Sequence, residues 1–266
     1  MDSRISQISL RSAALSVADL VLPRICVVCG RTLLLGETHL CTPCAADLPR
    51  TFFAGQRDNP MAVAFNGLVE RELTGSQTPS TTYYQPYSYA AALFYYRGDS
   101  PYSLIPQALK YGRNFGAGRY FARMLGREMA ASPLFADVHA IIPVPLHWLR
   151  RWRRGYNQAE VIARGIAEEL GVRVLTGVLK RVRRTRTQTR LDAGGRYANV
   201  RSAFVADGKT LASTGITADQ AGRPLHLLLV DDVYTTGATL LACERALRQI
   251  SHNARISVAT LSYVGR

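Results

Sequence analysis

The second half of the chain alternates continuous apolar runs with segments in which apolar residues recur at helical spacing. The sequence predicts one helix that begins after a capping Asn157 and ends at Gly171, and a second from about residue 236 to residue 250. Three apolar runs have the length and composition of strands buried on both faces: VHAIIPV (138–144), HLLLVD (226–231) and ISVATLS (256–262). This alternation predicts a parallel, doubly wound α/β sheet.

Shorter predicted elements precede and join this core. They are two helices around 102–111 and 115–131 and three extended segments at 87–99, 172–179 and 198–206. Residues 51–86 show no regular pattern, and the Ser, Thr and Pro near the end of that stretch are typical of a linker. We therefore divide the chain into an N-terminal helix with a cysteine module (1–50), an irregular linker region (51–86) and an α/β domain (87–266).

The composition is that of a globular protein, with 47% hydrophobic and 20% charged residues among 266. No window reaches the roughly 18 consecutive apolar residues that a membrane span needs, so no transmembrane helix is predicted. Residues 1–23 contain two arginines and an apolar half that Asp19 interrupts. This pattern favours an amphipathic helix over a signal peptide, and a cytoplasmic location is the expectation.

Positive charge is concentrated in one part of the chain. The formal net charge is +14, and residues 143–201 hold fourteen Lys and Arg residues against four acids, which gives that window +10. Such a concentration favours a polyanionic partner, either a phosphorylated small molecule, a nucleic acid or both. The alternative is a solvated basic surface that serves solubility alone.

Four of the five cysteines lie in CVVCGRTLLLGETHLCTPC, as the pairs Cys26 with Cys29 and Cys41 with Cys44. Two CxxC pairs at this separation can place four thiolates around one zinc ion, which predicts a small structural zinc ribbon. The alternative, two disulfides, requires an oxidising compartment. The fifth cysteine, Cys243, lies on the apolar face of a predicted helix and is expected to be a buried hydrophobic residue.

The stretch LLLVDDVYTTGATL (227–240) joins a predicted buried strand to a predicted helix. In a parallel sheet, ligands bind beyond the carboxyl ends of the strands, and the amino end of the next helix offers free N–H groups to a phosphate. Threonine hydroxyls and a glycine fit such a phosphate site, while Asp231 and Asp232 suit ribose hydroxyls and Mg²⁺. In the alternative, the aspartates end the strand and Thr235 or Thr236 caps the helix.

This stretch resembles the phosphoribosyl pyrophosphate (PRPP) loop of type I phosphoribosyltransferases. The order of four segments along the chain resembles that of the ComF family of competence-associated proteins. The segments are the four cysteines, IIPVPLHWLRRWRRGYNQAEVIA (141–163), TQTRL with RYANVRSAF (187–204) and this loop. The resemblance implies an α/β fold at 87–266, a type I phosphoribosyltransferase-like parallel sheet flanked by helices, with the small zinc ribbon N-terminal to it. It spans nearly the whole chain and is weakest over 50–86.

The resemblance also implies roles for individual residues. Asp231 and Asp232 would contact the hydroxyls of PRPP or a related ribose phosphate. The 5-phosphate would be held by Thr235, Thr236, Gly237, Ala238 and Thr239. Pyrophosphate, or a DNA phosphate, would lie against Arg154, Gly155, Asn157 and Gln158. A flexible loop that closes over the ligand would contribute Thr187, Gln188, Arg190, Arg196 and Asn199.

Three functions are compatible with these features. The first is PRPP or ribose-phosphate binding by a ComF-like protein that handles single-stranded DNA with the DNA-uptake machinery during natural transformation. Trp148, Trp152 and Tyr156 would then stack on bases, unless they belong to the core. The second is an Mg²⁺-dependent phosphoribosyltransferase, a pentosyl glycosyltransferase, whose acceptor and catalytic residues the sequence does not identify. The third is a regulator that senses PRPP without catalysis.

Overall fold

A computed structural model describes residues 23–74, 86–111, 114–146, 152, 155–182, 203–217 and 223–265 of the chain. The strands within these ranges are β1 Ala90–Tyr95, β2 Ala140–Pro143, β3 Arg173–Val174, β4 Leu179–Arg181, β5 Phe204–Ala206, β6 His226–Tyr234 and β7 Arg255–Tyr263. Five of them form one sheet in the order β1-β7-β6-β2-β3, and every neighbouring pair in it is parallel. The predicted parallel α/β sheet is therefore confirmed. Strands β4 and β5 form a separate antiparallel hairpin.

The helices of the same ranges connect and cover these strands. They are α1 Thr42–Ala46, α2 Pro60–Thr74, α3 Leu104–Tyr111, α4 Phe115–Ala130, α5 Gln158–Leu170, α6 Gly208–Ala212 and α7 Ala238–Arg248. Short 3₁₀ turns lie at Phe53–Gly55, Pro101–Ser103 and Pro133–Phe135. Among the helices of the described ranges, none has the length and apolar character needed to cross a membrane.

Helices cover both faces of the sheet because its strands are apolar on both sides. Along β6, Leu227 and Leu229 pack with residues of α2 and α7, whereas Leu228 and Val230 pack with residues of α4 and α5 on the opposite face. The hairpin of β4 and β5 joins the first of these layers, and the cysteine segment joins the second. The sheet is thus the middle of three layers, as expected for a doubly wound fold.

Helix α5 begins and ends where the sequence predicts. Asn157 caps its amino end by accepting a hydrogen bond from the N–H of Ala159 at 3.2 Å, and Gly171 ends it in a left-handed conformation with φ of 68°. The helix packs closely on α4, since a Cβ at Gly165 would lie 2.6 Å from the Cβ of Ala122. A residue larger than glycine at this position would push the two helices apart.

Part of residues 51–86 differs from the expected irregular linker. Asn59 caps α2 by accepting a hydrogen bond from the N–H of Ala62 at 2.9 Å. The helix buries five apolar side chains in the core on one face of the sheet: Met61, Ala62, Phe65, Leu68 and Val69. An Asn-Pro start followed by helical spacing is an ordinary helix signal, so irregular structure is the wrong description of 60–74. The division of the chain at residues 50 and 86 stays a prediction.

Candidate functional site

The carboxyl ends of β2 and β6 meet where the chain departs in opposite directions. After β2 the chain continues through α5 to β3 at one end of the sheet, and after β6 it continues through α7 to β7 on the other side. Helices α5 and α7 also lie on opposite faces of the sheet. Open parallel sheets bind ligands at such a topological switch point. We call this place the β2–β6 crevice.

The two aspartates of the sequence motif lie at this crevice, on the last part of β6. The strand continues to Tyr234, beyond its predicted end at residue 231, and helix α7 begins at Ala238. The extension follows from pairing with the nine-residue β7, in which Thr260 lies opposite Asp231. The acids are therefore held within a hydrogen-bonded strand, which fixes their positions more firmly than a loop would.

Alternation along β6 directs the two carboxylates to opposite faces of the sheet. Arg181 on β4 and the thiol of Cys243 on α7 interact electrostatically with Asp231 from one face. From the other face, Lys110 on α3 forms an ion pair with Asp232. Cys243 is 0% exposed, which confirms that it is a buried residue. Among the described residues, Lys110 contacts the acidic pair directly, and the charges of both Lys110 and Arg181 act on Asp231.

The carboxyl of Asp231 is held partly in its neutral form. Burial, followed by repulsion from Asp232, raises the pKa of Asp231 to about 7. The backbone N–H of Asp232 donates a hydrogen bond to Oδ1 of Asp231 at 2.9 Å and offsets the rise only in part, as do the charges of Lys110 and Arg181. At neutral pH the two residues carry less negative charge than two ordinary carboxylates.

Lys110 is a residue of the crevice that the sequence did not reveal. Its Nζ lies 2.7 Å from Oδ2 of Asp232, although 122 positions separate them along the chain. The end of α3 is fixed beside the start of α5, because the hydroxyl of Tyr156 donates a hydrogen bond to the carbonyl of Leu109 and its ring meets that of Phe115 edge-on at 4.6 Å. A single lysine in an amphipathic helix carries no local signal of such a contact.

The turn between β6 and α7 places a glycine at the amino end of the helix. Gly237 has φ of 75°, and a Cβ there would lie 2.6 Å from the hydroxyl oxygen of Tyr234 and 2.8 Å from Cδ1 of Leu68. Gly237 is itself the N-cap of α7 and has no side chain to occupy the N–H groups of the first turn. The hydroxyl of Thr236 lies at 3.5 Å from the N–H nitrogen of Ala238, the limit of a hydrogen bond.

On the β2 side of the crevice, Asn157 has a structural task. Its amide donates to the carbonyl of Val144 at 2.9 Å and so joins the end of β2 to the start of α5. Gln158 is 2% exposed, and its Nε2 has no hydrogen-bond partner among the described residues. Gly155 has φ of 83°, which favours glycine at the approach to the helix. Arg154, the fourth residue predicted for this end of the site, lies outside the described residues.

The hairpin of β4 and β5 brings the two ends of the predicted flexible loop together. The N–H of Val182 donates to the carbonyl of Ala203 at 2.8 Å, and Arg181 lies over the ring of Phe204 at 5.2 Å. Residues 183–202, which join the two strands, lie outside the described residues, and they include every predicted loop contact: Thr187, Gln188, Arg190, Arg196 and Asn199. The hairpin sets both ends of this segment beside Arg181, the residue whose charge acts on Asp231.

The four N-terminal cysteines converge on one point. The sulfurs of Cys26, Cys29, Cys41 and Cys44 all lie within 4.8 Å of one another, with 3.7 Å between Cys29 and Cys41, and none forms a disulfide. A tetrahedral zinc ion with Zn–S distances of about 2.3 Å separates its sulfurs by about 3.8 Å, so the cluster fits zinc. Hydrogen bonding to the backbone of Cys44 lowers the pKa of Cys41 to about 6, which favours the metal-binding thiolate.

A Ser-His-Asp arrangement lies at the opposite end of the sheet. Nδ1 of His226 is 2.6 Å from Oδ1 of Asp137, and Nε2 is 2.8 Å from Oγ of Ser257. This order of side chains is that of hydrolases, but Ser257 and His226 are both 0% exposed. Because no substrate reaches a fully buried hydroxyl, the three residues serve to join β6, β7 and the segment before β2.

Proteins with related sequences are named for competence and DNA utilization. Competence protein F of Haemophilus influenzae is 35% identical over 153 residues, which are 56% of this chain and 63% of that protein. DNA utilization protein YhgH of Salmonella typhimurium is 28% identical over 228 residues, covering 83% of this chain and 89% of that protein. The match to Competence protein F thus spans less than two thirds of its length, whereas the match to YhgH spans most of it.

No family model matches the chain. Among solved structures, an adenine phosphoribosyltransferase from Leishmania tarentolae is 16% identical with a TM-score of 0.30, and the match covers 60% of this chain and 74% of that one.

Proposed function

We propose that the chain is a member of the ComF family, which its similarity to Competence protein F and DNA utilization protein YhgH supports. On that premise we also propose that it binds PRPP or a related ribose phosphate in the β2–β6 crevice. The observation that carries the proposal is the union, at a switch point, of two strand-held carboxylates with a glycine-capped helix start. Carboxylates suit hydroxyl groups and the free N–H groups of a helix start suit a phosphate, so one sugar phosphate satisfies both.

The ligand is placed by matching its groups to the chemistry of each side. The 5-phosphate lies against the turn of residues 235–239, where the N-cap of α7 leaves backbone donors free. The ribose hydroxyls donate to Asp231 and Asp232, and the pyrophosphate lies toward Gly155 and Gln158, with Arg154 as its cation. Mg²⁺, when bound with PRPP, would supply charge neutralisation beside the carboxylates.

The biological role that we propose is handling of single-stranded DNA during DNA uptake, in the cytoplasm. Support comes from the names of the relatives and from the +10 charge that residues 143–201 carry in the sequence. Trp152 is 80% exposed and is free to stack on a base. Tyr156 is a poorer choice because its hydroxyl and ring already contact Leu109 and Phe115. Trp148 lies outside the described residues.

Titration of the zinc-loaded protein with PRPP and Mg²⁺, by calorimetry, tests the ligand. The D231N/D232N variant is expected to lose PRPP binding and still to unfold in one cooperative transition. Asparagine retains the size of aspartate, but it is neutral and therefore binds Mg²⁺ and accepts hydrogen bonds from hydroxyl groups less strongly. The matched control is E70Q, which removes the charge of an exposed acid on α2. Equal affinity of the double variant and the wild type would refute the proposal.

The same titration repeated with a single-stranded oligonucleotide separates the possible roles. Competition between oligonucleotide and PRPP would place DNA at the crevice itself, whereas independent binding would place it elsewhere on the basic surface. Release of pyrophosphate with a nucleobase or another acceptor would indicate a phosphoribosyltransferase. Tight PRPP binding with neither pyrophosphate release nor DNA binding would indicate a regulator that senses PRPP.

A further inference from the structure

The ammonium group of Lys110 can donate more hydrogen bonds than the ion pair with Asp232 uses. Lys110 carries three N–H donors, and one of them meets Oδ2 of Asp232 at 2.7 Å. Its side chain is 30% exposed, compared with 16% for Asp232, so it forms the outer side of the ion pair. The described residues offer Lys110 no second ion-pair partner. A second acceptor can therefore reach its ammonium from the crevice without breaking the contact with Asp232.

The position of Lys110 indicates that it would contact the pyrophosphate end of the proposed ligand. The hydroxyl of Tyr156 bonds to the carbonyl of Leu109, so Lys110 follows directly on the residue that fixes α3 to the start of α5. It lies on the face of α4 and α5, opposite the face of α7 and the turn that suits the 5-phosphate. Gly155 and Gln158, which we assign to pyrophosphate, flank Tyr156 at the start of α5, the segment that this hydrogen bond joins to the end of α3.

An anionic ligand beside two carboxylates needs a cation between them. Like charges in a partly buried crevice repel strongly, and a phosphate that approaches Asp232 would meet this repulsion in full without a neighbouring positive charge. The charges of Lys110 and Arg181 both act on the other carboxylate, Asp231. Lys110 is the described cation in direct contact with Asp232.

We propose that Lys110 is a further ligand-binding residue of the crevice, whose ammonium keeps Asp232 as one acceptor and takes a pyrophosphate oxygen of PRPP as another. The proposal rests on the proposed function, since it presupposes PRPP in the β2–β6 crevice. It deepens that function by assigning the pyrophosphate end to a residue of α3 that lies far from the PRPP loop in sequence.

Three ligands titrated into K110M test the assignment: PRPP, inorganic pyrophosphate and ribose 5-phosphate. Loss of one charge-assisted hydrogen bond is expected to weaken PRPP and pyrophosphate binding about tenfold or more. Ribose 5-phosphate, which lacks the pyrophosphate, is expected to bind the variant and the wild type equally. K110R, which retains the charge, should recover part of the affinity. The control K209M removes the same charge at an exposed position of α6, outside the proposed site.

A second measurement on the wild-type protein needs no variant. Reductive methylation followed by mass spectrometry is expected to show that pyrophosphate protects Lys110 and leaves Lys209 unprotected. Equal labelling of Lys110 with and without pyrophosphate, or K110M affinity that matches or exceeds that of the wild type, would overturn the proposal while the proposed function stands. Failure of the wild-type protein to bind PRPP would overturn both.

Discussion

Replacement of Asp231 by asparagine is expected to stabilise the protein in alkaline solution and to have little effect in acid. The pKa of this carboxyl is raised from 3.8 to about 7 in the folded state, chiefly by burial and next by repulsion from Asp232. Ionisation of Asp231 is therefore harder in the folded than in the unfolded chain. Asparagine keeps the oxygen that accepts the N–H of Asp232 at 2.9 Å but cannot ionise.

The sign and size of the effect follow from proton linkage. A raised folded pKa gives stability that is fully present below pH 3.8 and is lost as the pH rises through about 7. The difference of about three pKa units, at about 1.36 kcal/mol each, sets an upper bound of ~4 kcal/mol on the stability that the wild type loses. Much of that loss in the free energy of unfolding occurs between pH 5 and pH 8. The D231N variant does not undergo this loss, because its side chain does not ionise.

Urea unfolding of the wild type and D231N at pH 5, 6, 7 and 8, without ligand or added Mg²⁺, measures this difference. The gap in free energy of unfolding between variant and wild type should widen in favour of D231N as the pH rises. E70Q serves as the charge control, because it removes one acid at an exposed position of α2. A gap between D231N and the wild type that stays constant from pH 5 to pH 8 would refute the reasoning.

Three other outcomes are expected. A zinc chelator, or C41S, should release one zinc per chain and lower the melting temperature, measured by metal analysis and calorimetry; a metal-free protein with an unchanged melting temperature would contradict this. G237A should lose PRPP binding and some stability, because a Cβ would lie 2.6 Å from the hydroxyl of Tyr234; tight PRPP binding would contradict it. D207N should lower the melting temperature at pH 7 but not near pH 2, since Lys180 lowers the pKa of Asp207 to about 2 and the stabilisation is lost as the pH falls through that value.

The strands and helices with local signals could be predicted from the sequence. The apolar runs that form β2, β6 and β7 have the length and composition of buried parallel strands. Helix α5 begins after its predicted cap and ends at its predicted glycine. Helix α2 was missed although its Asn59-Pro60 start is a clear cap, because the Ser, Thr and Pro of the following stretch set the expectation for the whole region.

The candidate site could be predicted only in part. Its acids, glycine and threonines stand together in one stretch, so the sequence alone indicates them. Lys110 and Arg181 reach the acids from two other elements, and such convergence depends on the order of strands and on which face each helix covers. The end of β6 was also missed, since its extension to Tyr234 depends on the length of its partner β7. The local sequence pattern predicts neither the distances nor the strand register between elements that lie far apart in the sequence.

The cysteine cluster and the crevice are mechanically connected through α3. Cys26 and Cys41 belong to the same core as Leu109 and the buried faces of α4 and α5. The hydroxyl of Tyr102 also donates to the carbonyl of Cys44 at 3.0 Å, and the 3₁₀ turn that contains Tyr102 runs directly into α3. Helix α3 is thus held by the cysteine segment at one end and presents Lys110 to Asp232 at the other. We therefore expect a metal bound by the four cysteines to order α3 and, with it, the position of Lys110.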